Sequence, residues 1–206
     1  MARYGKEHKE ATRRRIVEAA GRRFKRDGID GSGIATLMAD AGLTNGAFYA
    51  HFDSKEDLVA STVADQLREQ RERYSTPSLE EIVRGYLSPQ HRDDREDGCP
   101  SAALLDEIAR SSDAVKRAYT DGQIAIIDDA AARLAPDDPE SARAQTLSVF
   151  ALMVGTLQVS RALADQRLAD EVLEQGIRNA LTLLAAARQE SRGHEDSGLR
   201  AADFTG

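Results

Sequence analysis

Apolar residues recur along the chain at helical spacing, and nowhere do they alternate with period two. Ile16, Val17, Ala20 and Phe24 share one face of a helix that opens near Thr12, a good N-cap. It stops at Gly28, which can take the left-handed conformation that ends helices. The upstream residues 1–11 carry no apolar stripe and read as a basic arm. After the polar turn Asp30-Gly31-Ser32-Gly33, a short second helix spans 34–41, with Ser32 or Gly33 at its cap. Gly42-Leu43 turns the chain, and Thr44 caps a third short helix over 45–52. Ser54 caps a fourth, whose first turn holds Glu56 and Asp57 and which reaches Tyr74 before Pro77 forbids continuation.

Five more helices are predicted downstream, over 79–87, 100–110, 113–134, 139–164 and 169–190. Pro100 stands at a first helical position, and Pro136-Asp137-Asp138-Pro139 is a firm stop. Residues 88–98 (SPQHRDDREDG) read as a charged loop, and the polar stretch 192–206 as a flexible tail. The pattern predicts an all-α fold. Three N-terminal helices form a helix-turn-helix candidate over 1–54, and a helical domain fills 55–191.

Composition narrows the class. A hydrophobic content of 41% is too high for a disordered chain, and 206 residues suit one or two small domains. One cysteine cannot form an internal disulfide. No run approaches the ~18–20 apolar residues of a membrane span, and no signal-peptide core precedes the first helix, so a cytoplasmic protein is expected. The net charge of −7 hides an asymmetry: residues 1–26 hold ten Lys/Arg against three Glu, which leaves −14 for the remainder. A basic end on an acidic body hints at nucleic-acid binding by that end.

The stretch from Ala39 to Leu58 (ADAGLTNGAFYAHFDSKEDL) carries more specific information. It resembles the signature of the TetR/AcrR family of bacterial regulators: A-G, a hydrophobic residue, Ser/Thr-x-Gly, a Tyr-x-His/Tyr-Phe run, and Ser/Asn-Lys-Glu. The likeness covers roughly residues 12–60; the rest of the chain is similar only in layout. It implies an N-terminal three-helix helix-turn-helix DNA-binding domain and a C-terminal helical ligand-binding and dimerisation domain. By the same resemblance, Tyr49, His51 and Lys55 contact the DNA backbone. The residues themselves suit the role. Thr44 stands at a helix N-terminus, where N–H groups favour a phosphate. Asn45 can read adenine through two hydrogen bonds, Gly46 admits close approach, and Ala47 presents a methyl to thymine. Ser32 at the second cap, with Arg13 and Arg14, completes the expected contacts; both arginines fit a solvated helix face equally well. Phe48, Phe52, Leu37 and Leu43 read as core.

In such a family the last two helices pair with their twins. Phe150, Val154, Leu157 and Arg161 on one, and Ile177, Leu181 and Leu184 on the other, are the expected homodimer interface, though intrasubunit packing explains part of each stripe. Tyr86, Cys99, Tyr119, Gln123 and Gln158 are candidate contacts for an unknown small-molecule effector. Cys99, at the start of a helix, is also a candidate oxidant- or electrophile-sensing thiol. The expected partners are a palindromic operator in double-stranded DNA, a second copy of the chain, and the effector. No phosphate loop, metal-spaced His/Cys set or nucleophile elbow is present, so neither enzyme activity nor a cofactor or metal is expected. A helical adaptor without DNA binding is the remaining alternative.

Overall fold

The computed structural model describes residues 2–202, with side chains from 7 to 189. Caps and breakers set most helix ends. The helices are α1 (Ala2–Asp27), α2 (Ile34–Asp40), α3 (Lys55–Tyr74), α4 (Leu79–Tyr86), α5 (Pro89–Asp93), α6 (Pro100–Arg110), α7 (Asp113–Leu134), α8 (Pro139–Ala162) and α9 (Gln166–Ala202), with a 3-10 helix over Asn45–Ala50. The described residues contain no strand.

Three expectations change. Residues 2–11 are helical, and Thr12 lies inside α1, its hydroxyl donating to the His8 carbonyl at 2.9 Å rather than capping. A polar helix has no apolar stripe to betray it. The loop expected over 88–98 contains α5, closed by the Arg92 N–H to the Ser88 carbonyl at 3.0 Å. Helix α9 continues through Ala202, across most of the expected tail; residues 203–206 lie outside the described part.

The fold divides into two compact units, Met1–Glu72 with Asp94–Gln123, and Arg73–Asp93 with Ile124–Gly206. The first is larger than the segment 1–54 expected of a DNA-binding domain, because α3, α6 and the start of α7 share its core. Ile16, Val17, Ala20 and Phe24 of α1 are buried with Leu37, Met38, Phe48, Phe52, Leu58 and Leu104. Gly122 of α7 sits so close to Leu67 of α3 that a Cβ there would stand 2.8 Å from the leucine. At the end of α1, Gly28 takes φ +81°. A carboxylate of α6, that of Glu107, accepts the next N–H, from Ile29, at 2.9 Å.

In the second unit Ser78 and Glu81 close a capping box at the start of α4. Helices α8 and α9 bury Val149, Met153, Val154 and Leu157 with Leu173, Ala180 and Leu184. Arg92 of α5 is 5% exposed and ion-pairs with Asp93 and Asp170 at 2.8 and 2.5 Å.

Candidate nucleic-acid interface

Helix α2 ends in a Schellman motif that fixes the direction of the next segment. The Leu43 N–H reaches the Met38 carbonyl at 2.8 Å and the Gly42 N–H reaches Ala39 at 2.9 Å, with Gly42 at φ +66°. Arg15 of α1 reinforces the joint, its Nε donating to the Ala41 carbonyl at 2.8 Å. Arg23 pairs with Asp40 at 2.7 Å. Several α1 cations therefore fasten the domain together. Sequence reading, which counted them as charge, did not single them out.

The expected helix over 45–52 is a 3-10 helix over Asn45–Ala50. Its first bond, from Ala47 N–H to Thr44 O at 3.0 Å, is of the tighter type. Phe48 and Phe52 stack at 5.7 Å and are buried. Their burial turns the opposite face outward: Thr44, Asn45 and Gly46 are exposed, Ala47 is half-exposed, and Tyr49 is 70% exposed. A Cβ at Gly46 would meet nothing within 4 Å. Thr44 stands at the N-cap position, but its side chain makes no capping bond, which leaves the hydroxyl to other partners. His51 follows, half-buried. Burial, then the charges of Lys9, Arg13 and His8, push its pKa below the usual histidine value.

Other expected contacts sit elsewhere. Ser32 is buried and its hydroxyl donates to the Gly28 carbonyl at 2.6 Å, so it holds the turn after α1 rather than facing outward. Lys55 donates to the Ile29 carbonyl at 2.5 Å and lines a cleft of about 260 Å³ with Glu107, Arg110 and Val115. Arg13 donates to Ser61 Oγ at 2.7 Å and lies 4.7 Å from the centre of the Phe52 ring. Arg14 is exposed. Glu107 is a site residue that sequence reading missed, because its partner Ile29 lies 78 positions away and no local pattern links them.

The effector candidates separate. Cys99, Tyr119 and Gln123 belong to the first unit, Tyr86 and Gln158 to the second. Cys99 is buried, its thiol 3.4 Å from Gln70 Oε1. Tyr119 donates to Ser101 Oγ at 3.0 Å, and burial raises its pKa. Gln123 is buried with neither amide atom hydrogen-bonded. Tyr86 is buried and Gln158 exposed. Of the expected dimer residues, Val154, Leu157 and Leu184 are core of the second unit. Arg161 donates to the carbonyls of His91 and Arg92 at 2.8 and 3.1 Å, completing the C-terminal end of α5. Phe150, Ile177 and Leu181 are part-exposed. Among the described residues no His/Cys/Asp/Glu cluster is placed to hold a metal, and no helix is long and apolar enough to cross a membrane.

Residues 16–62 match the model of the bacterial regulatory proteins of the tetR family. The HTH-type transcriptional regulator TtgR of Pseudomonas putida is 37% identical over 81 residues, 39% of this chain and 38% of TtgR. The chain thus spans about two fifths of the length of that curated relative. The reduced form of E. coli NemR shares the fold at TM-score 0.67 and 18% identity, over 82% of this chain and 95% of NemR. Bacillus subtilis FadR, solved in complex with stearoyl-CoA, matches at TM-score 0.56 and 16% identity, over 79% of this chain and 96% of FadR. The matched segment runs from the core of α1 across the outward face of the 3-10 helix and into α3, and over residues 16–62 the chain is similar to the bacterial regulatory proteins of the tetR family.

Proposed function

We propose that the chain is a homodimeric DNA-binding transcriptional regulator, a repressor released from a palindromic operator by a small-molecule inducer. The observation that carries this reading is Tyr49: a large aromatic left 70% exposed beside two stacked, buried phenylalanines. An aromatic ring there, flanked by the exposed Thr44, Asn45 and Gly46, offers hydrogen-bonding groups and close approach to a duplex rather than core packing. Two such faces on a two-fold dimer would enter major grooves about 34–36 Å apart. The dimer face is assigned to the part-exposed Phe150, Ile177 and Leu181, joined by Leu147 and Val159, which are 42% and 52% exposed.

For the inducer, Gln123 supports the first-unit candidates, since a buried amide with two unfilled hydrogen-bonding positions suits a polar ligand. FadR, of the same fold, was solved with a small molecule bound. Burial of the Cys99 thiol favours ligand binding over electrophile attack as the signal. Selection of bound duplexes from a random pool tests the whole reading. The expected product is an inverted repeat whose binding weakens steeply with salt. Retention of no duplex at low salt would refute it and favour the adaptor alternative.

A further inference from the structure

A cleft of about 260 Å³ opens where four segments of the first unit meet: the turn after α1, the start of α3, the end of α6 and the start of α7. None of the effector candidates named from the sequence lines it. Ile29, Val59 and Val115, all buried, give it an apolar wall. Around that wall stand two cations, Lys55 and Arg110, and three acids, Asp30, Glu56 and Glu107.

These charges are not equally committed. Glu107 is taken up by the backbone: its carboxylate accepts the Ile29 N–H at 2.9 Å and the Asp30 N–H at 3.4 Å. A Cβ at Gly28 would stand 2.9 Å from Glu107 Oε1, so the carboxylate is packed closely in place. Lys55 gives one of its three N–H bonds to the Ile29 carbonyl, and Arg110 reaches Asp106 through Nη1, so both keep unfilled donors. The carboxylates of Asp30 and Glu56 accept no hydrogen bond among the described residues. Beside Ser111, which lines the cleft, the Ser112 hydroxyl is buried without a partner. Two uncommitted acids thus face two cations with unfilled donors, next to one apolar wall. That set is complementary to a molecule that carries both charges and an apolar body. A metal ion does not fit, because among the described residues no three His, Cys, Asp or Glu groups are placed to hold one. The volume lies below the roughly 300–1,000 Å³ of sites for drug-sized molecules, so the occupant is smaller than those.

We propose that this cleft binds a small zwitterion, an α-amino acid with a branched apolar side chain. Its ammonium meets Asp30 and Glu56, its carboxylate meets Arg110 and the remaining donors of Lys55, and its side chain lies against Ile29, Val59 and Val115. No covalent bond changes. The bound molecule sits beside Lys55 and Glu107, the two side chains that hold the carbonyl and the N–H of Ile29, and so braces the turn after α1. The proposal does not depend on the DNA-binding reading, and either can fail without the other.

The test is calorimetry of the full chain with L-leucine and with two analogues of similar shape that each lack one charge, 3-methylbutylamine and 4-methylpentanoate. Leucine should bind saturably, one molecule per chain, and each analogue should bind more weakly by at least about tenfold. Arg110→Ala and Glu56→Gln should each weaken leucine binding by about tenfold. Neither should disturb the fold, since the Arg110–Asp106 pair is solvent-exposed and the Glu56 carboxylate accepts no hydrogen bond; thermal melts check this. Leucine should also raise the melting temperature of the wild type, and that of either variant much less. No heat and no melting shift at millimolar leucine would overturn the proposal. Equal binding of either analogue would overturn the zwitterion assignment. Leucine binding that survives both variants unchanged would overturn the cleft as its place.

Discussion

Tyr49 and Asn45 stand four positions apart on one exposed segment, yet their chemistry assigns them different work. A phenol reaches a phosphate on any sequence, whereas a carboxamide discriminates bases. Tyr49→Ala should therefore weaken binding to all duplexes about equally. Asn45→Ala should weaken it mainly on the preferred sequence, and anisotropy on specific and scrambled duplexes separates the two. His51 makes a prediction about the free protein as well. Its folded pKa is depressed by burial and by Lys9, Arg13 and His8. As pH falls below the ordinary histidine value of about 6.5, the unfolded chain takes up the proton before the folded one does. Stability should thus fall through that window, and thermal melts should show a smaller fall for His51→Gln. Two residues expected to contact DNA, Ser32 and Lys55, make hydrogen bonds within the domain. Nothing in a local pattern reveals that Ser32 turns inward to Gly28, or that Lys55 finds the Ile29 carbonyl.

Elements were more legible than residues. Helices α3, α6 and α7 have the bounds that the sequence predicts, because Ser54, Pro100 and the pair Pro77 and Pro136 punctuate them. The first three turns of α1 were not legible, since they lack the stripe that periodicity needs. Nor was α5, whose Arg92 draws its anchor Asp170 from α9, far along the chain. The turn between α2 and the 3-10 helix makes its own prediction. Gly42 sits at φ +66°, and the nearest side-chain atom a Cβ would meet is Arg15 Nη2 at 3.5 Å. The cost of Gly42→Ala is therefore conformational, about 1 kcal/mol, readable by chemical denaturation. Gly46→Ala meets open space. It should leave the melting temperature nearly unchanged yet weaken duplex binding, if the backbone there approaches DNA. A loss of both, or of neither, would contradict the exposed-face assignment.

At the scale of the molecule, the net charge of −7 conceals a division of labour within α1 itself. Arg22, Arg23 and Arg26 pair with Asp97, Asp40 and Glu96, so the far end of the helix spends its charge on the fold. Lys9 and Arg14, nearer its start, are exposed. The assigned dimer face is testable through Val159, which is 52% exposed. Val159→Glu should leave helicity unchanged and shift the mass in light scattering from dimer to monomer, with loss of tight operator binding. Glu107 carries a consequence for protein engineering. Removing its carboxylate by Glu107→Ala orphans the Ile29 N–H, a loss of about 2 kcal/mol by denaturant titration. A chimera cut at residue 54 would commit the same injury, handing the Gly28-Ile29 turn to a foreign α6. The piece that can be transplanted between chains of this fold is thus discontinuous: residues 1–72 travel intact only when 94–123 travel with them.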